Sequence, residues 1–204
     1  MRDSNIDLRI IRTKEAIRDA LVELIDEKSF EAITVKDITT RAGINRGTFY
    51  AHYQDKVDLV TKCEDEIMLE MARIAKQDIQ NYMGASNSQV ATAFPIAVKF
   101  FEYLNENSSF MKAVLGPKGD LSFQTRLKNF MWETLFGSES DAIFKEENLH
   151  VPAQYLVSYI ASAHMGIVQQ WLNNDKKESP QEMAGILSII TVNGPFFAAG
   201  LKND

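Results

Sequence analysis

Apolar residues recur along most of the chain at spacings of three and four, which is the period of an α-helix with one buried face. Ile17, Leu21 and Leu24 follow this pattern in a helix predicted over 8–28, and a long helix is predicted over 56–82. No stretch alternates apolar and polar residues as a half-buried strand does. The sequence therefore predicts an all-α protein of about nine helices. Other predicted helices lie within 94–136, at 151–173 and at 180–198.

Helix starts are marked by polar residues that accept hydrogen bonds from the first free backbone N–H groups. Three pairs place such a residue three positions before an acid, and Pro180 occupies a first helical position, where its missing N–H is harmless. Further along, Gly194 and Pro195 should end or kink the last helix. The three pairs are Thr34 with Asp37, Asp55 with Asp58, and Ser179 with Glu182.

Residues 34–56 carry the most specific pattern in the chain. A helix of only two turns is followed by Gly43, which can take the left-handed conformation that stops a helix. A second short helix is predicted from Arg46, with Phe49 and Tyr53 four residues apart and facing inward. Two short helices joined by a tight glycine turn form a helix-turn-helix, and the preceding long helix would complete a three-helix core.

The outward face of the second short helix has the chemistry of a DNA reader. Arg46 can donate two hydrogen bonds to guanine, and the Thr48 methyl can contact thymine, while Gly47 lets the backbone approach the groove. Corners between helices are common, so the geometry alone favours a structural role, and it is the polar outer set that favours DNA. Residues that could reach phosphate or the other groove wall are Tyr50, His52, Lys56, Thr34 and Lys36.

Residues 33–59 resemble the DNA-binding domain of the TetR family of bacterial transcriptional regulators. The resemblance rests on Thr-Val-Lys-Asp-Ile at 34–38, Ala-Gly-Ile-Asn-Arg-Gly-Thr-Phe-Tyr-Ala-His-Tyr at 42–53 and Asp-Lys-Val-Asp-Leu at 55–59. It implies a homodimer that binds a palindromic operator in double-stranded DNA. It also implies a divergent C-terminal domain that binds a small-molecule inducer.

Carried onto this sequence, the resemblance implies a set of DNA contacts. Base contacts would come from Lys36, Arg46, Gly47 and Thr48. Phosphate contacts would come from Thr34, Tyr50, His52 and Lys56. Asn45, the predicted cap of the second short helix, completes the predicted DNA-binding site. The predicted domains are 1–55, a helix-turn-helix DNA-binding domain, and 56–204, a larger helical ligand-binding and dimerisation domain.

The resemblance implies dimerisation through the helices at 151–173 and 180–198. Residues 183–201 contain no charged side chain, but they include several polar residues and Pro195, so burial in a protein interface is favoured over a membrane span. Aromatic and other polarisable side chains of the predicted ligand-binding domain are candidates for inducer contacts. Helical spacing alone, however, also places apolar residues along one helix face in an ordinary core. The predicted ligand-binding residues are Phe100, Phe101, Tyr103, Phe130, Tyr159, His164 and Trp171.

The overall charge opposes DNA binding until its distribution is considered. Lys and Arg number 22 against 28 Asp and Glu, a net charge of −6, whereas nucleic-acid binders are usually basic. Residues 34–56 carry four basic and two acidic side chains, while residues 61–204 carry 12 basic and 17 acidic ones. The acidity is therefore predicted to lie mainly on the regulatory part, away from the duplex.

Enzymatic chemistry is not indicated by any motif. The three histidines have no partner at metal-ligand spacing, and Cys63 stands alone, so neither a zinc site nor another cofactor site is expected. Gly-Pro-Lys-Gly-Asp at 116–120 lacks the Gly-Lys-Ser/Thr ending of a phosphate loop and is predicted to be a turn. A single cysteine and the lack of an apolar leader favour a reducing cytoplasm.

These observations predict a DNA-binding transcriptional regulator, most simply a homodimeric repressor that a small-molecule inducer releases from its operator. An activator, or a regulator controlled by a protein partner, is the alternative within transcription. A helical ligand-binding or scaffold protein that merely contains the helix corner is the alternative from another class.

Overall fold

The computed structural model describes residues 2–82, 89–136 and 146–201. Within these ranges the protein consists of ten α-helices and two short 3-10 helices, Phe30–Ala32 and Glu146–Asn148, so the predicted all-α class is confirmed. The helices are α1 (Arg2–Glu27), α2 (Val35–Arg41), α3 (Arg46–Tyr50), α4 (Lys56–Tyr82), α5 (Gln89–Glu106), α6 (Ser108–Leu115), α7 (Leu121–Phe136), α8 (Ala153–Asn173), α9 (Pro180–Asn193) and α10 (Pro195–Ala198).

The chain forms two compact units. Unit 1 contains Met1–Ile67 and Ser109–Phe123, and unit 2 contains Met68–Ser108 and Gln124–Asp204. The chain therefore passes between the units three times, within α4, at the start of α6 and within α7. The two units are defined by compactness and not by function. The predicted boundary between a DNA-binding and a ligand-binding domain, between residues 55 and 56, therefore stays a prediction.

The core of unit 1 is built from the apolar faces that the helical spacing predicted. Ile17 and Leu21 of α1, Ile38 of α2 and Phe49 of α3 are fully buried. Each such side chain contributes roughly 1.5–3 kcal/mol through removal from water. Tyr53 is also buried, so the predicted inward placement of both aromatic residues is confirmed.

Cys63 of α4 lies in the same apolar surroundings. Its side chain is buried, and this burial raises the pKa of the thiol to about 11. A thiol with this pKa stays protonated at neutral pH, whereas the thiolate is the reactive form of cysteine. Cys63 therefore behaves as a small core residue.

Unit 1 also contains α6, which the sequence did not assign to it. Phe110, Met111, Val114 and Leu115 of α6 are buried. The guanidinium of Arg18 in α1 lies 4.6 Å from the centre of the Phe110 ring. A short helix from the middle of the chain is thus part of the same compact body as the helix-turn-helix.

In unit 2, α5 packs along α9, and α8 and α10 also contact α9. Phe101 of α5 meets Trp171 of α8 edge to face, with ring centres 5.2 Å apart. Trp171 Nε1 donates a hydrogen bond to the Glu178 carbonyl at 2.9 Å, which satisfies the one polar group of this buried ring.

The predicted helix over 180–198 is divided in the structure. Gly194 has a φ of 86°, which ends α9, and Pro195 begins the short α10. This is the termination that the Gly-Pro pair predicted. Within the described ranges, no helix combines the length and apolarity that a membrane crossing requires.

Candidate nucleic-acid interface

The segment that opens α2 is held by a reciprocal cap. Thr34 Oγ1 accepts from the Asp37 backbone N–H at 3.2 Å, and Asp37 Oδ2 accepts from the Thr34 backbone N–H at 2.9 Å. Lys28 Nζ donates to the same carboxylate at 2.8 Å. The hydrogen bonds from Lys28 and Thr34 hold the pKa of Asp37 well below its usual range. The start of α2 is therefore fixed by local polar contacts that the sequence spacing predicted.

The turn between α2 and α3 depends on a left-handed residue. Gly43 has a φ of 65°, a conformation that a β-carbon disfavours. Its successor Ile44 donates from its backbone N–H to the Thr39 carbonyl at 3.0 Å. Asn45 Oδ1 then accepts from the Thr48 backbone N–H at 2.8 Å and caps α3. The predicted glycine stop and the predicted Asn45 cap are both confirmed.

The outer face of α3 is open to solvent. Arg46, Gly47 and Tyr50 are exposed, and Thr48 is half-buried. The Thr48 hydroxyl donates to Asn45 Oδ1 at 3.2 Å, which leaves its methyl group and its lone pairs for a partner. A β-carbon on Gly47 would lie 3.2 Å from Asn45 Oδ1, so the glycine also makes room for the cap. Contact of this face with bases stays a prediction.

The α3 helix is anchored by aromatic packing. The Phe49 ring meets the Tyr50 ring edge to face at 5.6 Å and lies 5.6 Å from the Tyr53 ring. Such pairs contribute about 0.5–1.5 kcal/mol beyond burial. Tyr50 nevertheless keeps 54% of its surface exposed, so its hydroxyl-bearing side chain remains available at the predicted phosphate face.

Lys56 occupies a different environment from the one predicted. Its ammonium donates to three backbone carbonyls, those of Phe30 at 2.9 Å, Glu31 at 2.7 Å and Ile33 at 2.8 Å. A lysine has three donors, so all of them are used within unit 1. To reach phosphate, Lys56 would have to release one of these carbonyls. Its phosphate contact stays an untested prediction, and the geometry supports a structural role.

His52 and Lys62 secure the turn after α3. The His52 ring is half-buried, 6.2 Å from the Tyr53 ring, and its carbonyl accepts from Lys62 Nζ at 3.1 Å. Lys62 also pairs with Asp58 at 2.9 Å. Lys62 was not among the predicted site residues, although its position four residues after Asp58 on a helix is a recognisable signal.

The basic side chains of this segment are not equally available. Arg41 forms ion pairs with Glu23 at 2.9 Å and Glu27 at 2.8 Å, both on α1. By contrast, no hydrogen bond or ion pair engages Arg46 within the part of the chain that the structure describes. Lys36 is exposed as well. The local basic excess is therefore presented to solvent mainly by Arg46 and Lys36.

Within the described ranges, the predicted ligand-binding residues occupy different environments. Phe101 and Trp171 are buried against each other, whereas Tyr159 is 56% exposed. His164 Nε2 lies 3.0 Å from Thr191 Oγ1, and burial lowers the pKa of His164 to about 4. Half-buried positions are taken by Phe100, Tyr103 and Phe130. Their role in ligand binding stays a prediction.

A pocket of about 540 Å³ lies elsewhere in unit 2. It is formed by Trp132 of α7 and by residues 149–154, which lead into α8. None of the predicted ligand residues lines it. Residues 151–154 fall at the start of the helix predicted over 151–173, where helical spacing does not mark a concave surface.

Three helices with an exposed, capped third helix define a helix-turn-helix DNA-binding protein. Residues 17–63 match the family described as "Bacterial regulatory proteins, tetR family", and residues 91–193 match "Transcriptional regulator C-terminal region". The chain belongs to the TetR family of transcriptional regulators. Members of this family are DNA-binding transcriptional regulators, and they bind DNA operators and small-molecule ligands.

Two curated relatives illustrate the sequence similarity. The HTH-type transcriptional regulator YxbF of Bacillus subtilis is 23% identical over 184 residues, which cover 90% of this chain. The chain spans only 45% of the length of that protein. The HTH-type transcriptional repressor BepR of Brucella suis is 24% identical over 181 residues, covering 80% of this chain and 82% of BepR.

Solved structures share the fold at low identity. A TetR-family regulator from Syntrophomonas wolfei is 17% identical with a TM-score of 0.63, covering 93% of this chain and 96% of that chain. NalD, the secondary repressor of the MexAB-OprM pump in Pseudomonas aeruginosa, is 15% identical with a TM-score of 0.62, covering 95% and 98%. FadR of Bacillus subtilis in complex with stearoyl-CoA is 17% identical with a TM-score of 0.56, covering 88% and 98%.

Proposed function

We propose that this protein is a homodimeric repressor that binds a palindromic operator and leaves it when a small molecule binds to the C-terminal part. The observation that carries the DNA-reading step is the outer face of α3. Arg46 is exposed there beside Gly47, on a helix that Asn45 caps and Phe49 anchors. A guanidinium in this position can form two hydrogen bonds with guanine in the major groove.

Direct base readout is assigned to Lys36, Arg46, Gly47 and Thr48, which the structure leaves exposed or half-buried. Thr34 and Tyr50 are assigned to phosphate, because both are exposed at the ends of the two short helices. Phosphate contacts fix the register of the protein on the duplex, while base contacts carry specificity.

Dimerisation is supported by apolar residues that a single chain leaves uncovered. Tyr155 on α8, Ile186 and Ile189 on α9, and Phe196 on α10 are all exposed. Monomeric proteins rarely leave contiguous apolar surface to water, and a second copy of the same surface would cover it. A two-fold dimer then presents two α3 helices to half-sites spaced by roughly 34–36 Å, which makes the operator palindromic.

Release by a small molecule requires that the ligand prefer the conformation with low DNA affinity. The solved FadR structure holds stearoyl-CoA, which shows that this fold can accommodate a ligand. The helices of unit 2 provide the ligand site in this proposal. The alternatives are an activator, for which DhaS of Lactococcus lactis is a relative at 23% identity, and control by a protein partner.

Selection of genomic fragments at low salt tests the proposal. The full chain is expected to retain fragments that share an inverted repeat, and one of a set of candidate metabolites should release them. Failure to retain any DNA would favour a ligand-binding or scaffold protein.

A reporter gene downstream of a selected fragment then separates repression from activation. Deletion of the regulator should raise expression if the protein is a repressor. A fall in expression on deletion would instead identify an activator. Release of the retained DNA only by a protein fraction, and by no metabolite, would point to control through a protein partner.

A further inference from the structure

The two tryptophans of the chain have different environments, although both belong to unit 2. Trp171 is 2% exposed, and its Nε1 group donates to the Glu178 carbonyl. Trp132 on α7 is half-buried, and within the described ranges no hydrogen bond engages its indole N–H. A tryptophan that is largely out of water usually finds a partner for this group. The Trp132 donor is therefore available to a molecule that binds beside it.

The Trp132 ring is held by an aromatic neighbour on the same helix. Its centre lies 5.1 Å from that of the Phe136 ring, and the two ring planes are inclined by 32°. Residues four apart on a helix lie on the same face, so this contact is set by α7 itself. A ring that is packed in advance loses little conformational freedom when a ligand binds to it.

Trp132 and residues 149–154 line the cavity of about 540 Å³ described above, which we call the Trp132 pocket. This volume lies within the range of roughly 300–1,000 Å³ that small-molecule sites occupy. Pro152 precedes α8 with a φ of −57°, and its carbonyl accepts from the Tyr155 backbone N–H at 3.1 Å. Val157, further along α8, is buried. The second wall of the pocket is therefore fixed by the start of an anchored helix.

The lining of the Trp132 pocket combines apolar surface with neutral hydrogen-bonding groups. Leu149 and Val151 are apolar, His150 and Gln154 present exposed polar groups, and no Asp, Glu, Lys or Arg lines the cavity. A charged ligand would lose water there without gaining an opposite charge, which costs free energy. The face of an indole favours a flat ring stacked on it. The pocket therefore suits an uncharged aromatic molecule.

We infer that the Trp132 pocket binds an uncharged, planar aromatic compound that carries a hydrogen-bond acceptor. The ring of the compound stacks on the Trp132 indole, and its acceptor binds the indole N–H or the Gln154 side-chain amide. The inference rests on the proposed function for the consequence of binding, because it names the class of small molecule that releases the operator. Binding itself is measured without DNA.

Fluorine NMR of the full chain labelled with 5-fluorotryptophan tests the inference, because the two tryptophans give two resonances. Trp132→Phe assigns the resonances by removing one of them. The probe is quinoline, a planar ring that is uncharged at neutral pH and has one acceptor nitrogen. It should shift the Trp132 resonance saturably, with a Kd on the order of 1 mM or below for so small a ligand. The resonance of the buried Trp171 should stay in place.

Two further probes separate the parts of the inference. Cyclohexanone keeps an acceptor but has no aromatic face, and N-methylquinolinium keeps the planar ring but replaces the acceptor with a positive charge. Each should bind about tenfold or more weakly than quinoline. Equal binding of cyclohexanone would reveal an unselective apolar crevice, and equal or tighter binding of N-methylquinolinium would reveal a cation site. Either result overturns the inference.

Substitutions that fill the pocket test its location. Ala153→Phe and Val151→Phe each add a ring to the lining and should weaken quinoline binding by about tenfold or more, because they occupy the volume that the ligand needs. Asn173→Phe adds the same ring at an exposed position at the other end of α8 and should behave as wild type. An unchanged Trp171 resonance verifies the fold of each variant. A Trp132 shift that survives both pocket substitutions overturns the inference.

Fluorescence anisotropy with a duplex recovered in the genomic selection then separates the inference from the proposed function. Quinoline that shifts the Trp132 resonance and also releases the duplex supports both. A saturable shift at Trp132 without release supports the site and contradicts its role in releasing the operator. A duplex that binds to a protein in which quinoline leaves the Trp132 resonance unshifted means that the inference alone is wrong.

Discussion

The core side chains of the helix-turn-helix, such as Ile38 and Phe49, are covered within one chain, whereas along α8 and α9 several large apolar side chains remain in contact with water. Ile38 and Phe49 in the helix-turn-helix are completely buried. On the second surface, Tyr155 is 66% exposed and Ile189 is 46% exposed. One chain therefore covers the core of the helix-turn-helix by itself, while the exposed apolar side chains of α8 and α9 would be covered by a second copy in the proposed dimer.

The two regions also differ in how their polar groups are used. Around α2 and α3, capping side chains and ion pairs such as Lys28 with Asp37 fix each helix end. On α8 and α9 the exposed positions include large apolar side chains, among them Tyr155, Ile186 and Ile189, which no contact within the described chain covers. The difference implies that substitutions in unit 1 act on folding and reading, and those on the α8–α9 surface act on assembly.

Replacing Phe49 with Ala should have the largest effect. Loss of a fully buried aromatic ring costs about 3–5 kcal/mol of unfolding free energy, because the cavity cannot collapse completely. Urea unfolding followed by circular dichroism measures the change. Val57→Ala, at a position that is 51% exposed, is the control and should stay within about 0.5 kcal/mol. Equal losses in the two variants would contradict the burial on which the comparison rests.

Ile189→Glu tests the other side of the comparison. A carboxylate buried without a partner in the dimer should weaken dimerisation by roughly 3 kcal/mol, or about 100-fold. Light scattering after size exclusion should show a folded monomer. Leu69→Glu introduces the same charge at an exposed apolar position of α4 and should leave the dimer intact. An Ile189→Glu protein that remains dimeric would place the dimer surface elsewhere.

Arg46→Ala should reduce operator affinity by about 10- to 100-fold, which corresponds to 1–3 kcal/mol for a lost bidentate contact with guanine. Fluorescence anisotropy with the selected duplex measures the loss, and a scrambled duplex measures the non-specific background. Lys177→Ala, an exposed lysine between α8 and α9, serves as the control. Unchanged operator affinity in Arg46→Ala would show that α3 does not read the bases.

Lys56→Met distinguishes a structural lysine from a phosphate ligand. Loss of the hydrogen bonds to three carbonyls should lower the unfolding free energy by about 1–3 kcal/mol. The salt dependence of DNA binding should then stay close to that of the wild type. A stable Lys56→Met protein with a flatter salt dependence would instead support the phosphate contact.

The smallest expected effect concerns the Asp37 carboxyl. Its folded pKa is lowered by Lys28 and Thr34, so the stabilisation is present above the unfolded value, near 3.8, and is lost as the pH falls below it. Urea midpoints between pH 7 and pH 3 should therefore decline less in Asp37→Asn than in the wild type. Lys28→Met should also weaken this dependence, and an unchanged profile in both variants would contradict the assignment.

Local rules were enough to predict the helix-turn-helix. Thr34 and Asn45 act as caps because their short side chains place an oxygen within hydrogen-bond distance of the free backbone N–H groups in the first helical turn. Gly43 stops α2 because the backbone there needs a positive φ. These effects involve residues within four positions of each other, so the sequence contains the information directly.

Contacts between distant segments were not predictable in the same way. Nothing near Lys56 in sequence indicates that its ammonium binds carbonyls at 30–33. Phe101 and Trp171 had the spacing of helical apolar stripes, which a buried core and a ligand pocket share. The choice between these roles depends on how the helices are placed, which periodicity does not contain.

The pairing of Arg41 with Glu23 and Glu27 has a consequence for how the protein searches DNA. Each lysine or arginine that neutralises a phosphate releases bound cations, and this release drives non-specific adhesion to the duplex. An arginine already neutralised on α1 contributes little to that adhesion. Fewer cations of residues 34–56 are therefore left to neutralise phosphate than the count of basic residues suggests, which lowers the number of bound cations that this segment can release from a duplex.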